Sequence, residues 1–274
     1  MLLDNRTTLS TDLVKTFKEN ADRFVAIARE SVLKHYLNRS FTIQLKSDVS
    51  PVTEADLEAE RILRESISQT YPEHGIIGEE YPPSNPASDF QWTIDPIDGT
   101  QNFAAGIPTF GIMLSLRYQN APIIGIIDHP ALNLNYSSGF GLGTFCNQKR
   151  VHIVDTPAIA LGPEHIIITS TKGMFQRTGE GVLMDEFIKT HPTNRIYYDC
   201  FGHSLAASGC VDAMVEFNVR IWDASPTELL VTEAGGMFKY IRAQPSTAPT
   251  EYTNFLSAIF GKPSIVRLLE PKFC

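Results

Sequence analysis

The stretch that most constrains this chain is FQWTIDPIDGTQNF, residues 90–103. Its first half is apolar enough for a strand buried on both faces. Its second half sets two aspartates, Asp95 and Asp98, three positions apart where that strand should end. A buried strand cannot cheaply end in bare carboxylates, because unpaired charge in a low-dielectric interior is very costly. Other acidic residues fall in comparable places. GIIGEEYP closes an apolar run with Glu79 and Glu80, VRIW is followed by Asp223 ahead of a predicted helix, and Asp56 lies early in another. Divalent cations remove the cost of converging carboxylates. A donor set of oxygen without Cys or His favours Mg²⁺ or Mn²⁺ over zinc.

Within Asp95-Pro96-Ile97-Asp98 the proline fixes φ and is expected to force a turn. Both carboxylates and the Ile97 carbonyl could then converge. Gly99 would let the backbone approach a ligand closely. The amides of Gly99 and Thr100, at the start of a helix, could hold a phosphate, and the Thr100 hydroxyl could orient a water. That is the machinery of metal-assisted phosphate ester hydrolysis, in which two cations clamp the nucleophile and the leaving oxygen. DPIDG alone reads as an ordinary turn. The co-occurrence of GEE, DPIDGT, WD and EAGG in one chain carries the functional reading.

A length of 274 residues suits one domain, here 1–274, with a metal-site half over about 1–155 and a substrate-pocket half over 156–274. Lys and Arg number 23 against 31 Asp and Glu, and no basic run stands out, so nucleic acid is not an expected partner. The four cysteines, Cys146, Cys200, Cys210 and Cys274, show no CxxC spacing. They read as free thiols in a reducing cytoplasm rather than a zinc or disulfide framework. The first residues lack the apolar region of a secretory signal, and no run of about 18 apolar residues would span a membrane.

Apolar spacing predicts a helix over 10–36 capped by Ser10 or Thr11. Residues 40–46 alternate like a strand. A second helix follows, with Thr53 and Asp56 as a capping pair and Pro72 as its stop. TFGIMLSLRY and APIIGIIDHP read as strands paired through a turn at Gln119–Asn120, with further strands to residue 153. After a reset near 155, HIIITS, RIYYDC and VDAMVEF read as strands. Helices are expected across 179–190, in GHSLAASGC and over 225–236, the last with Pro226 in its first turn and Gly235-Gly236 at its end. Asp128 reads as a turn residue and RAQPSTAPTEYTN as an exposed loop.

At the acidic motifs the sequence resembles the inositol-monophosphatase-like superfamily of Mg²⁺-dependent, lithium-sensitive phosphatases. The motif W-x-I/V-D-P-I/L-D-G-T-x-x-F stands here as Trp92 to Phe103. W-D-x-A followed by E-A-G-G meets Trp222-Asp223-Ala224-Ser225 and Glu233-Ala234-Gly235-Gly236. Gly78-Glu79-Glu80 and Thr53-Glu54-Ala55-Asp56 supply the G-E-E and T-x-x-D elements, and order and spacing agree from about residue 20 to 262. The resemblance implies a mixed α/β (α+β) fold, a layered α/β/α/β/α sandwich of the inositol monophosphatase/fructose-1,6-bisphosphatase type. It also implies a cytoplasmic homodimer holding two or three Mg²⁺ per site, with Mn²⁺ as a substitute. One ion would sit on Glu79, Asp95 and the Ile97 carbonyl, a second on Asp95, Asp98 and Asp223, and Glu79 would share a weaker third. The catalytic residues implied are Glu79, Thr100 and Asp56, the last two orienting and activating the attacking water. Ser225-Pro226 departs from the alanine and glycine of many members, and would alter helix packing rather than remove a ligand.

Several stretches are more similar to the histidinol-phosphate phosphatase branch than to the inositol branch: KSDVSPVTEAD (46–56), GIIDHPAL (125–132), TSTKGMF (169–175) and YDCFGHSLAASGCVDAMVE (198–216). TQNF (100–103) is closer to the inositol branch. Histidinol carries an ammonium and an imidazole, whereas inositol is a neutral polyol. A pocket lined by Asp199 and Glu216 would favour the cation through charge-assisted hydrogen bonds. Glu216 stands where the family usually places a carboxylate that touches the substrate's alcohol part. Gly99, Thr100 and Asp223 complete the substrate-binding set. Asp199 has a plainer alternative, capping the helix around 202–209. His203 reads as an exposed helix residue, Trp92 and Trp222 as core beside the metal site, and Cys200 as a thiol with no activating base. The expected reaction is hydrolysis of histidinol phosphate, a step of histidine biosynthesis. The alternatives are inositol 1-phosphate, 3′-phosphoadenosine 5′-phosphate, or a catalytically silent relative. The last predicts loss of a ligand among Glu79, Asp95, Asp98 and Asp223, and all four are present.

Overall fold

A computed structural model of the chain describes residues 4–273 apart from 40, 46–50, 163, 170–172, 174, 175, 177, 178, 180, 191–193, 198 and 242–253. The first half of KSDVSPVTEAD, most of TSTKGMF, nearly all of RAQPSTAPTEYTN and the Cys274 thiol therefore lie outside the described residues.

Helix α1 (Thr11–Asn38) starts at its expected cap, Ser10, whose Oγ accepts from the Leu13 amide at 3.2 Å. Its apolar stripe of Val14, Phe17, Ala21, Phe24, Ala28 and Val32 is buried. Strands β1 (Ile43–Leu45) and β2 (Pro51–Thr53) pair antiparallel and lead into α2 (Glu54–Thr70). Next come β3 (Gly75–Gly78), β4 (Phe90–Asp98), α3 (Thr100–Ala105), β5 (Gly111–Tyr118) and β6 (Ala121–His129). The last two form the expected hairpin. Gln119 and Asn120 both have positive φ, the two-residue turn whose twist matches that of the strands. Strands β7 (Leu134–Gly139), β8 (Gly143–Cys146) and β9 (Lys149–Val151) complete a seven-stranded sheet in the order β3 to β9.

The remaining elements are β10 (Ile167–Thr169), α4 (Gly181–Thr190), β11 (Arg195–Ile196), α5 (Asp199–Ala207), β12 (Ala213–Val219), α6 (Ile221–Glu233), β13 (Met237–Tyr240), β14 (Leu256–Gly261) and α7 (Pro263–Phe273). They build a five-stranded sheet ordered β11-β10-β12-β14-β13. Helices α1 and α2 cover one face of the larger sheet, α5 and α6 lie between the two sheets, and α4 and α7 close the outer face of the smaller one. This is the α/β/α/β/α layering expected from the resemblance. No helix among the described residues is long and apolar enough to cross a membrane.

The structure corrects several local readings. Helix α6 begins at Ile221, four residues early, so Asp223 lies inside its first turn and Pro226 beyond it. Pro226 packs against β6 at Gly125, where an added Cβ would come within 2.6 Å of the Pro226 carbonyl oxygen. The predicted strand RIYYDC shrinks to Arg195–Ile196, because α5 already starts at Asp199. Asp128 is not a turn residue. It lies within the buried stretch of β6, is 1% exposed, and pairs with Arg29 at 3.0 Å and Asn135 at 3.1 Å. Its partner Arg29 lies far off in sequence, so no local pattern marks it as interior.

Candidate active site

Residues three apart on a regular strand face opposite sides of a sheet. Asp95 and Asp98 escape that rule because the pairing of β4 with β5 slips between them. Trp92, Ile94 and Ile97 all reach the core under α1 and α2, so one extra residue is absorbed before Ile97. Both aspartates then emerge toward α6. Pro96 sits in this bulge, where a missing N–H breaks no ladder bond. The expected turn is thus a bulge within a continuing strand.

Asp56 and Asp223 are placed by a different device. Each is the third residue of its helix, with one oxygen reaching back to the backbone amide ahead of the helix. Asp56 Oδ2 accepts from Thr53 N–H at 2.8 Å and from the Thr53 hydroxyl at 2.6 Å. Asp223 Oδ2 accepts from Arg220 N–H at 2.7 Å. The second oxygen of each is left to face the site. Asp56 Oδ1 lies 3.3 Å from Thr100 Oγ, which is also 3.0 Å from the Ile97 carbonyl oxygen.

Oxygen atoms of Asp95, Asp98 and Asp223 lie within 4.8 Å of one another. Glu79 joins them, its carboxyl close enough to Asp95 to hydrogen-bond it. Burial, then repulsion from Glu79, Asp98 and Asp223, pushes the Asp95 pKa well above the usual carboxylate value. Burial and then Asp98 do the same to Asp223. Asp98 is pushed up to about 6, chiefly by burial, with His203 and the Cys200 amide pulling the other way. Asp95 Oδ1 is buried without a hydrogen-bond partner among the described residues. An orphaned oxygen among mutually repelling carboxyls is what a hard divalent cation fits. Cys200 Sγ lies 3.7 Å from the Asp98 carbonyl, but burial holds its pKa well above the ordinary thiol value. Among the described residues no Cys or His joins the cluster of Asp95, Asp98 and Asp223, and its donor set is oxygen.

The other side of the carboxylate cluster is built from α5 and β12. Along β12 the alternation sends Ala213, Val215 and Phe217 to the outer core and Met214 to the inner one, so Glu216 also faces inward. There it meets His203 Nε2 in a close ion pair. His203 is 2% exposed, which corrects its reading as an exposed helix residue. Its Nδ1 lies 2.6 Å from Thr227 Oγ, and Thr227 donates in turn to the Asp223 carbonyl at 2.9 Å. Burial works against charge on His203, but Glu216, then Asp98 and Asp223, outweigh it and raise its pKa. Asp199 is the first residue of α5, and among the described residues its side chain bonds to no amide of that helix. The Cys200 amide donates to Asp98 Oδ2. Asp199 has φ +60°, a left-handed conformation, and its Oδ2 lies 3.3 Å from Asn102 Nδ2. Burial, then the charges of Asp98, Glu216 and Asp223, raise its pKa well above the usual value. Gly99, at φ +81°, lies beside the same oxygen.

Three partners escaped the sequence reading: Glu60, Asn102 and Thr227. The first stands one helical turn after Asp56, and that i, i+4 spacing was its only signal. Trp92 and Trp222 are core residues as expected, Trp92 edge-on to Phe24 and Trp222 clustered with Ile77 and Val219.

The profile of the inositol monophosphatase family matches residues 16–258. A histidinol-phosphatase from Chlorobaculum parvum is 34% identical over 209 residues, covering 76% of this chain and 80% of the relative. Human inositol monophosphatase 1 is 28% identical over 243 residues, covering 84% and 86%. A solved inositol monophosphatase from Zymomonas mobilis superposes with a TM-score of 0.77 at 27% identity, over 97% of this chain and 98% of that one.

Proposed function

Because this chain belongs to the inositol monophosphatase family of metal-dependent phosphoric monoester hydrolases, we propose that it hydrolyses histidinol phosphate to histidinol and phosphate, as a step of histidine biosynthesis. It would act as a single-domain chain paired in a cytoplasmic homodimer. The observation that carries the substrate choice is Asp199. Glu216 is neutralised by its pairing with His203, whereas the hydrogen-bond partner of Asp199 is the neutral amide of Asn102. Among the described residues Asp199 thus has no cation against it, and although burial and its acidic neighbours favour its protonated form, a substrate ammonium would restore its charge and pair with it. Histidinol phosphate has that ammonium and inositol 1-phosphate does not. Relatives are named for both activities, and an inositol phosphate remains the second reading, favoured by the neutral Asn102 amide beside Asp199.

In this reading Glu79, Asp95, the Ile97 carbonyl, Asp98 and Asp223 hold two or three Mg²⁺, with Mn²⁺ able to replace them. Bound there, such ions would supply Lewis acidity toward the phosphoryl oxygens and lower the pKa of a water. The chain's own groups do the rest. Thr100 Oγ directs its single proton at the Ile97 carbonyl or Asp56 Oδ1, so its lone pairs remain to accept from a water and aim it. Asp56 can take that water's proton only through Oδ1, since Oδ2 is engaged at the helix cap. The Gly99 and Thr100 amides at the head of α3 hold the phosphate, and Asp223 and Glu216 face the alcohol part. Lithium would inhibit by taking a Mg²⁺ position. The test is phosphate release with Mg²⁺ from histidinol phosphate and inositol 1-phosphate side by side. A kcat/KM ratio at least tenfold in favour of histidinol phosphate is expected, a difference of about 1.4 kcal/mol. A preference for inositol 1-phosphate would discard the substrate and keep the hydrolase.

A further inference from the structure

Glu60 on α2 is fully buried, although it is a carboxylate. A buried carboxylate needs partners, and Glu60 finds them in the segment that follows β3. Its Oε2 accepts from the Glu80 amide at 2.8 Å, and its Oε1 lies 3.3 Å from the Tyr81 amide. Arg64, one helical turn on, donates to Glu60 Oε1 at 2.7 Å and to the Tyr81 carbonyl at 3.0 Å. The two side chains therefore grip both polarities of one short backbone segment. Gly78 completes the fit, since an added Cβ would sit 2.0 Å from Glu60 Oε1.

The segment so gripped carries Glu79. The Glu79 amide donates to the Ile94 carbonyl at 3.1 Å, which continues the β3–β4 ladder by one bond. The next amide is the one Glu60 takes. Glu79 is thus pinned on its N-terminal side by β4 and on its C-terminal side by α2, with its carboxyl against Asp95. Asp56, Glu60 and Arg64 follow at i, i+4 and i+8, so one face of α2 serves Thr100 at one end and the Glu79 backbone further along.

We propose that Glu60, backed by Arg64, is a positioning residue that holds Glu79 in register with Asp95 for divalent-cation binding. The proposal rests on reading Glu79 as a metal ligand. Without Glu60, the Glu80 and Tyr81 amides lose their acceptor, and Glu79 can rotate away from the carboxylate cluster.

The test is Mn²⁺ binding to the folded protein, read from free Mn²⁺ by electron paramagnetic resonance, with circular dichroism checking the fold of each variant. Losing such an outer partner typically weakens metal affinity ~10–100-fold, and Glu60→Ala is expected in that range. Glu60→Gln, close in shape, should weaken binding less, and it carries the test if the alanine variant does not fold. Gly78→Ala should mimic Glu60→Ala by expelling the carboxylate, and should add little on top of it. Glu79→Gln is the control. If Glu79→Gln weakens Mn²⁺ while the folded Glu60 variants bind within twofold of wild type, the positioning role is wrong. If Glu79→Gln also leaves binding unchanged, the ligand reading beneath it falls too.

Discussion

Replacing Asp95 by asparagine is expected to move stability and activity in opposite directions. The Asp95 side chain is 3% exposed, and its Oδ1 has no partner among the described residues. It shares its space with Asp98 and Asp223, one carboxylate oxygen of each lying within 4.8 Å of the others. Two unit charges at that widest separation repel by about 3–4 kcal/mol at an effective dielectric of ~20. Protonation relieves part of this in the metal-free protein, as the raised pKa of each carboxyl indicates. Neutralising one carboxyl should then stabilise the metal-free fold by about 1–3 kcal/mol, or roughly 2–10 °C in Tm for a chain of this size. The new amide can also donate to a neighbouring carboxylate. In Mg²⁺ the order reverses. Wild type gains stability in proportion to the logarithm of ion concentration over Kd, and the variant loses most of that gain. Its turnover falls on the order of 10³-fold, since several kcal/mol of transition-state stabilisation go with the ion. Thermal unfolding of both proteins in chelator and in Mg²⁺, beside a phosphate-release assay, reads all three effects. An Asp95→Asn variant less stable than wild type in chelator, or as well stabilised by Mg²⁺, would refute the carboxylate-repulsion argument.

Asp199→Asn keeps a residue that tolerates left-handed backbone and removes only the ionisable carboxyl. It should leave Tm unchanged or higher and cut kcat/KM for histidinol phosphate about tenfold or more, with inositol 1-phosphate little affected; equal losses on both would remove Asp199 from specificity. Gly125→Ala should destabilise by about 1–3 kcal/mol, measured by urea unfolding, because its Cβ meets the Pro226 backbone on α6; a neutral result would mean that α6 is free to shift. The adjacent pair Asp128 and His129 should titrate with opposite sign. Burial lowers His129 to about 4, so its contribution is lost as pH falls below its unfolded value, by up to about 3 kcal/mol near pH 4. Burial raises Asp128 to about 6, so its protonated form adds stability as pH falls from 6 toward 4. Asp128→Asn should therefore lose stability toward acid more steeply than wild type, and His129→Gln less steeply. Parallel stability–pH curves for the three proteins would contradict both shifts.

Much of this protein was legible without coordinates wherever the signal is local. Ser10 and the Thr53–Asp56 pair cap their helices as read, because a cap depends on residues three apart in the chain. Gln119–Asn120 turns its hairpin as read, because so short a turn restricts which residues fit. The carboxylates that converge could be picked out because an apolar strand ending in charge needs a reason. What local signals could not supply is partnership across the chain. The interior place of Asp128 depends on Arg29 in α1, 99 positions away. The burial of His203 depends on Glu216 and Thr227 in two other elements. Glu60 matters because α2 packs beside the segment after β3, which its own helix periodicity does not announce. Even the convergence of Asp95 and Asp98 needed a slip in strand register, set by pairing with β5 rather than by proline alone. The chain's own chemistry determined the kind of site, a cluster of hard oxygen donors at strand and helix ends. Tertiary packing decided its geometry and its charge balance, because desolvation and pairing energies depend on neighbours that only folding brings together.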